Sequence, residues 1–229
     1  MSIYAIGDLH LSFAADKPMD VFGKQWSNHP ERIAKAWKQQ IKEHDIVLLP
    51  GDISWAMNYE EAAPDLQFIA DLPGHKIMIK GNHDYWWSTI KKVREHLPAS
   101  IFAIQNDAIA VGDYVVAGTR GWNTPSMKGF TLEDHKLYSR ELGRLRLSLE
   151  QAKQAKLPIL CMLHYPPTDE TFARTEVIDL LEEFEVIYCV YGHLHGEAVF
   201  HAMPKNLYKV PCELVSADAI SFAPKCILK

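Results

Sequence analysis

A chain of 229 residues with 48% hydrophobic and 23% charged side chains can bury one substantial core, in a single domain spanning residues 1–229. Its formal net charge of −5 and sequence pI near 6.1 argue against a surface devoted to nucleic-acid phosphates. No apolar run reaches the ~20 residues of a membrane helix, and the opening stretch MSIYAIGDLH does not have the pattern of a secretory leader.

Five short apolar runs punctuate the chain at 3–6, 46–49, 77–79, 159–163 and 186–191. They are rich in Ile and Val and bounded by turn residues, which predicts strands buried on both faces. Helical patterns lie between them. Residues 30–42 place Ile33, Ala34, Trp37 and Ile41 on one face, with Pro30 at the start. Further helices are expected at 60–70, 85–96, 132–156 (interrupted near Gly143) and 171–184. Residues 107–119, with Gly112-Asp113 between apolar runs, predict a hairpin. After Gly196 the pattern changes to short strands at 198–202, 207–210, 213–216 and 225–228. Alternating strands and helices mean an α/β domain, here with antiparallel strands in the middle and at the carboxyl end. The four cysteines, Cys161, Cys189, Cys212 and Cys226, have no CxxC spacing; Cys161 and Cys189, inside apolar runs, read as buried structural thiols, and the expected compartment is a reducing cytoplasm.

Chemistry collects just after the apolar runs. The first leads into Gly7-Asp8-Leu9-His10, the second into Gly51-Asp52, and the third into Gly81-Asn82-His83-Asp84. The fourth leads into His164 and the fifth into Gly192-His193-Leu194-His195. In an open α/β sheet the carboxyl ends of the strands border one crevice, so residues far apart in sequence meet there. Asp8 and His10 are two apart, as are His193 and His195, and in an extended segment each pair points the same way. Imidazoles, carboxylates and an amide suit manganese, iron or zinc. They do not suit a structural zinc site, which is closed and richer in cysteine. A single DxH or HxH is a weak signal. Five such strand ends in one chain point jointly to two metal ions, with Asp52 able to bridge them.

The ordered series from Asp8 to His195 resembles the calcineurin-like metallophosphoesterase superfamily, most closely a bacterial single-domain branch known as predicted phosphohydrolases. The resemblance implies a four-layer α/β/β/α sandwich of two mixed sheets, with the metal site at the strand ends. It assigns Asp8, His10, Asp52 and His195 to one divalent ion, and Asp52, Asn82, His164 and His193 to the other. It makes His83 the catalytic imidazole and Asp84 its carboxylate partner, which would orient the ring and raise its basicity. The implied reaction is in-line attack on a phosphoester by a metal-bridging hydroxide, with His83 assisting the leaving oxygen.

Substrate choice is less fully written. Phosphoprotein phosphatases of this superfamily carry an Asp-Arg-Gly after the second motif, whereas this chain reads GDISWAMN, with Ser54, Trp55 and Ala56 and no arginine. It also lacks the GNRD of lipid A precursor hydrolases. Three segments, 12–29, 119–133 and 165–174, are expected to border the crevice. From these, Arg120 and Trp122 join Asn82 as candidate substrate contacts, although a surface ion pair for Arg120 and simple burial for Trp26 and Trp122 compete with that role. The leading reading is a phosphodiesterase acting on a small-molecule phosphoester or nucleotide. A phosphomonoesterase, including a phosphoprotein phosphatase, is second. A protein-binding scaffold that has lost catalysis is third, and the complete donor set counts against it.

Overall fold

A computed structural model describes residues 1–229. In chain order the elements are β1 (Ile3–Ala5), α1 (His29–Gln40), β2 (Ile46–Leu49), α2 (Tyr59–Ala70), β3 (His75–Met78), α3 (Ile90–His96), β4 (Ile101–Ala103), β5 (Ile109–Val111), β6 (Tyr114–Thr119), α4 (Leu132–Gln154), β7 (Ile159–Leu163), α5 (Glu176–Glu183), β8 (Tyr188–Tyr191), β9 (Cys212–Leu214) and β10 (Lys225–Leu228). They form two five-stranded sheets, ordered β10-β1-β2-β3-β4 and β5-β6-β7-β8-β9. Each is parallel except at one edge, where β10 runs antiparallel to β1 and β5 antiparallel to β6.

Alternation along the strands builds the layers. Ile3, Ala5, Ile46 and Leu48 pack against Leu160, Met162 and Val190 between the sheets. The intervening Val47 and Leu49 face outward onto Ile33 and Trp37 of α1 and Leu66 and Ile69 of α2. On the other side, Ile159, Cys161 and Leu163 meet Leu145 and Leu149 of α4 and Ile178 and Leu181 of α5. This is the expected α/β/β/α sandwich. Cys161, Cys189 and Cys212 lie side by side across β7, β8 and β9 as buried free thiols. Burial pushes the Cys189 thiol well up, so it is inert.

Several boundaries differ from the sequence pattern. Residues 85–87 form a turn, and α3 starts only at Ile90, where Thr89 accepts the Lys92 N–H as its cap. Gly143 does not interrupt α4. It lies on the exposed face of a 23-residue helix, whose packing absorbs the ~1 kcal/mol a lone glycine costs. Thr175 caps α5, so the preceding residues 171–174 are loop. Residues 196–201 form a 3-10 helix instead of a strand, and 207–210 form a bend. The three residues of β4 are too few for a period to show.

Lys76 of β3 is fully buried, and its ammonium donates to the carbonyls of Ala70 and Leu72 at the end of α2. Burial lowers its pKa from 10.5 to about 8, with Glu43 and Asp71 opposing. Between those two values the unfolded chain holds the proton and the folded chain does not, so stability rises with pH there. Lys76→Met should therefore raise the melting temperature at pH 7, and the gain should shrink as pH climbs from about 8 to about 10.5. A gain that does not change with pH, or a loss at pH 7, would contradict a charged, strained Lys76.

Candidate metal centre

The loops that follow β1 and β2 run side by side. Asp8 N–H donates to the Gly51 carbonyl at 2.9 Å, His10 N–H to Asp52 at 3.0 Å and Leu11 N–H to Ile53 at 3.0 Å. Asp8, His10, Asp52 and His193 all adopt left-handed backbone, with φ of 56°, 45°, 52° and 74°. Asp8 and His10 therefore converge through a left-handed turn, not by alternation along an extended segment. Non-glycine residues in this region are uncommon and cluster at functional sites. Two motif glycines permit close approach. A Cβ on Gly81 would fall 2.1 Å from Asp52 Oδ1, and one on Gly192 would fall 2.3 Å from Asp8 Oδ2.

All seven predicted donor side chains meet. The donor atoms of Asp8, His10 and His195 lie within 4.8 Å of one another, and so do those of Asp8, Asp52 and His164. His195 Nε2 is 3.2 Å from Asp8 Oδ1 and 3.3 Å from His10 Nε2. Asn82 Oδ1 is 2.6 Å from His164 Nε2 and 2.9 Å from His193 Nδ1. Asp52 Oδ2 stands between the two groups, 3.7 Å from His10 Nε2 and 3.5 Å from His164 Nε2. Asp8 also receives the His193 N–H on both carboxylate oxygens, at 3.0 and 3.1 Å.

Lone pairs face lone pairs in this cluster. His164 Nδ1–H donates to the Pro50 carbonyl at 3.0 Å, which leaves Nε2 as the lone-pair nitrogen. His195 Nδ1 is likewise engaged by Asp218 Oδ1 at 2.9 Å, and its Nε2 points to Asp8 and His10. Facing acceptors require a proton or a cation between them. Burial works against a charge on His195, yet Asp8 and Asp218 outweigh it and raise its pKa to about 10. Burial also works to raise Asp8, but the imidazoles of His195, His164 and His10 hold it low. Burial raises Asp52 to about 7, with His164 opposing and Asp8 and Asp84 adding to the shift. His193 is pushed down to about 3 by burial and by His164, so it is neutral, as a ligand must be. In the absence of metal a proton on His195 supplies the positive charge that Asp8 and Asp218 favour, and a divalent cation would displace that proton, so the donor set fits divalent metal.

His83 sits at the rim, half-buried, outside the donor set. Trp55 packs on it at 4.3 Å between ring centres, and Tyr85 Oη lies 3.5 Å from its Nδ1. Burial lowers its pKa. Asp84 behaves differently from expectation. Its buried carboxylate accepts N–H bonds from Gly81 and Asp52 on one oxygen, and from Ile53, Ser54 and the Trp86 indole on the other, at 2.8–3.2 Å. With both oxygens committed, Asp84 does not hydrogen-bond the His83 ring. It fixes the two loops that carry Asp52 and Asn82.

Arg120 faces Glu141, at 3.8 Å, and stacks over Trp122 at 4.7 Å. Trp122 packs on Tyr165, which packs on His193 at 4.1 Å. Trp122, Tyr165 and His193 border a cleft of about 460 Å³ drawn from segments 119–133 and 165–174. Trp26, from segment 12–29, is buried edge-on to His10 and His195. Two contributors escaped sequence reading. Asp218 lies in an irregular loop with no periodic signal. Trp55, visible only as the place where an arginine is missing, stacks on His10 at 4.9 Å and touches His83.

Paired sheets with such a centre at their strand ends define a metal-dependent phosphohydrolase. The chain belongs to the calcineurin-like phosphoesterase family, whose model matches residues 1–197. Among solved structures it is similar to a protein of unknown function, AQ665 from Aquifex aeolicus, at 16% identity and a TM-score of 0.54, covering 98% of this chain and 95% of that one. It is also similar to the phosphopantetheinyl hydrolase PptH from Mycobacterium tuberculosis, at 15% identity and a TM-score of 0.58, covering 99% and 95%. No curated protein matches. No helix is long and apolar enough to cross a membrane.

Asp84→Asn turns an NH₂ group toward backbone donors and leaves buried N–H groups without acceptors. The variant should lose about 2 kcal/mol or more, which is about 4–8 °C for a chain of this size. Calorimetry should also show weaker manganese binding. A variant with wild-type stability and metal affinity, altered only in its pH profile, would return Asp84 to the role of a partner for His83.

Proposed function

We propose that the protein is a phosphodiesterase acting on a small-molecule or nucleotide phosphoester with two divalent cations. The observation that supports two cations is the position of Asp52, whose one oxygen lies 3.7 Å from His10 and 3.5 Å from His164. Asp8, His10, Asp52 and His195 would hold one ion, and Asp52, Asn82, His164 and His193 the other. Manganese, iron and zinc all suit these nitrogen and oxygen donors. Bound there, the ions supply Lewis-acid activation of water and neutralise charge on phosphoryl oxygens.

The chain's own residues favour a diester. Beside His83 stand Trp55 and Tyr85, and beside His193 stands Tyr165. Aromatic walls suit a singly charged diester with two organic substituents better than a compact dianion. His83 Nδ1 faces the Tyr85 hydroxyl, and no protein hydrogen bond engages its Nε2, which is the atom able to pass a proton to the leaving oxygen. A pKa lowered by burial makes the protonated ring a stronger acid toward that oxygen. The fold shared with the phosphopantetheinyl hydrolase supports phosphoester hydrolysis and, at 15% identity, selects no substrate.

The test compares bis-p-nitrophenyl phosphate with p-nitrophenyl phosphate on manganese-loaded protein, with Asp52→Asn as the blank. The diester should be turned over faster. His83→Ala should cost about 100-fold or more on a diester with an alkyl leaving group, and less when p-nitrophenolate leaves. Faster monoester hydrolysis would move the protein to the phosphomonoesterases. Equal losses on both leaving groups would remove the acid role from His83.

A further inference from the structure

Beside the metal centre, at the seam between the two sheets, lies a second cavity of about 260 Å³. Lys80 enters it from just beyond β3, Arg120 from just beyond β6, and Arg140 and Arg144 from the middle of α4. The only carboxylate in its lining is Glu141. Glu141 is buried and already well supplied. It accepts the Thr119 hydroxyl at 2.7 Å and pairs with Arg144 at 2.7 Å, while Arg140 and Arg120 stand off at 3.7 and 3.8 Å.

One carboxylate among four cations leaves a surplus of about three positive charges in a partly desolvated space, where like charges repel strongly. The structure does not relieve that surplus internally. Lys80 donates to the neutral Trp87 carbonyl at 2.8 Å, and the buried Arg120 Nε–H has no acceptor at all. A cluster that needed only to neutralise Glu141 would require one arginine. Planar guanidinium forks gathered without matching carboxylates are the usual means of gripping phosphate.

The cavity is also tied to the metal centre. Lys80 precedes Asn82 by two residues, and the Arg120 carbonyl accepts the N–H groups of His164 and Tyr165 at 3.1 and 2.8 Å. We infer that this pocket is an anion subsite that takes a second phosphate group of the substrate, distinct from the phosphoester that is cleaved. The inference rests on the phosphodiesterase reading and narrows it: the substrate is a diester carrying a further phosphate. Arg120 then serves the distant phosphate, and the aromatic walls at His83 and His193 serve the reacting one.

The test uses a matched pair of diesters, the p-nitrophenyl ester of thymidine 5′-phosphate with and without a 3′-phosphate. In the wild-type manganese enzyme the 3′-phosphate should raise kcat/KM at least tenfold, through KM. In Arg140→Gln/Arg144→Gln, whose folding is checked by its melting curve, that ratio should fall to about one. A wild-type ratio near one, or a double variant that keeps the wild-type ratio, would overturn the subsite. If neither diester is turned over, the phosphodiesterase reading fails independently. Thymidine 3′,5′-bisphosphate and thymidine 5′-phosphate are then compared by calorimetry on the same two proteins. Tighter binding of the bisphosphate that is lost in the double variant supports the pocket, and equal binding rejects it. If the double variant does not fold, Arg140→Lys and Arg144→Lys singly provide the comparison. Each keeps the charge but loses the fork, and a ratio unchanged in both rejects the subsite.

Discussion

The buried carboxylate of Asp84 holds this centre together. Two oxygens collect backbone N–H groups from Gly81, Asp52, Ile53 and Ser54, so the loops after β2 and β3 are fixed to one another. The loop after β2 in turn pairs through its carbonyls with the loop after β1. Asp8, His10, Asp52 and Asn82 are therefore placed by one connected set of main-chain bonds. The second sheet contributes His164, His193 and His195, tied to the first by the His193 N–H to Asp8 and by the His164 Nδ1–H to the Pro50 carbonyl.

Such a centre is costly without its ligands. Asp8, Asp52 and His164 are almost fully buried, and four of its residues hold left-handed backbone at about 1–3 kcal/mol each. Buried charges that lack compensation are strongly destabilising. The hydrophobic layers on each side of both sheets supply the stability that makes this arrangement possible. Divalent metal bound at the centre would supply the rest, by neutralising the buried carboxylates and engaging the imidazole and amide donors gathered around them. The same logic separates the basic pocket from the metal centre. Its four cations, Lys80, Arg120, Arg140 and Arg144, surround one carboxylate, Glu141, whereas the metal centre gathers Asp8 and Asp52 among imidazoles.

Much of this was legible in the sequence, for a physical reason. Parallel strands buried on both faces read as short apolar runs, and the residue after each run lies at the crevice. Asp8, His10, Asp52, Asn82, His164, His193 and His195 could thus be named before any coordinates, whereas the four-layer sandwich was implied by the family resemblance those residues carry, the pattern alone reaching only an α/β domain. What could not be read depends on chain paths that carry no period. Asp218 reaches His195 only because the irregular stretch before β10 folds back. The family resemblance pairs Asp84 with His83, whereas backbone donors, which have no letter in a sequence, and the Trp86 indole claim both its oxygens. Trp55 appeared only as an absent arginine, although it packs on two site imidazoles. The delayed start of α3 has the same origin, since Trp86 is held in a turn by its bond to Asp84.

The central claim is that Asp52 joins two metal positions into one unit. The direct measurement is the metal content and affinity of wild-type protein and of Asp52→Asn, by equilibrium dialysis against manganese followed by elemental analysis. The account predicts two ions per chain in the wild type and loss of both together in the variant. A wild type that saturates at one ion, or a variant that keeps two at unchanged affinity, would contradict it.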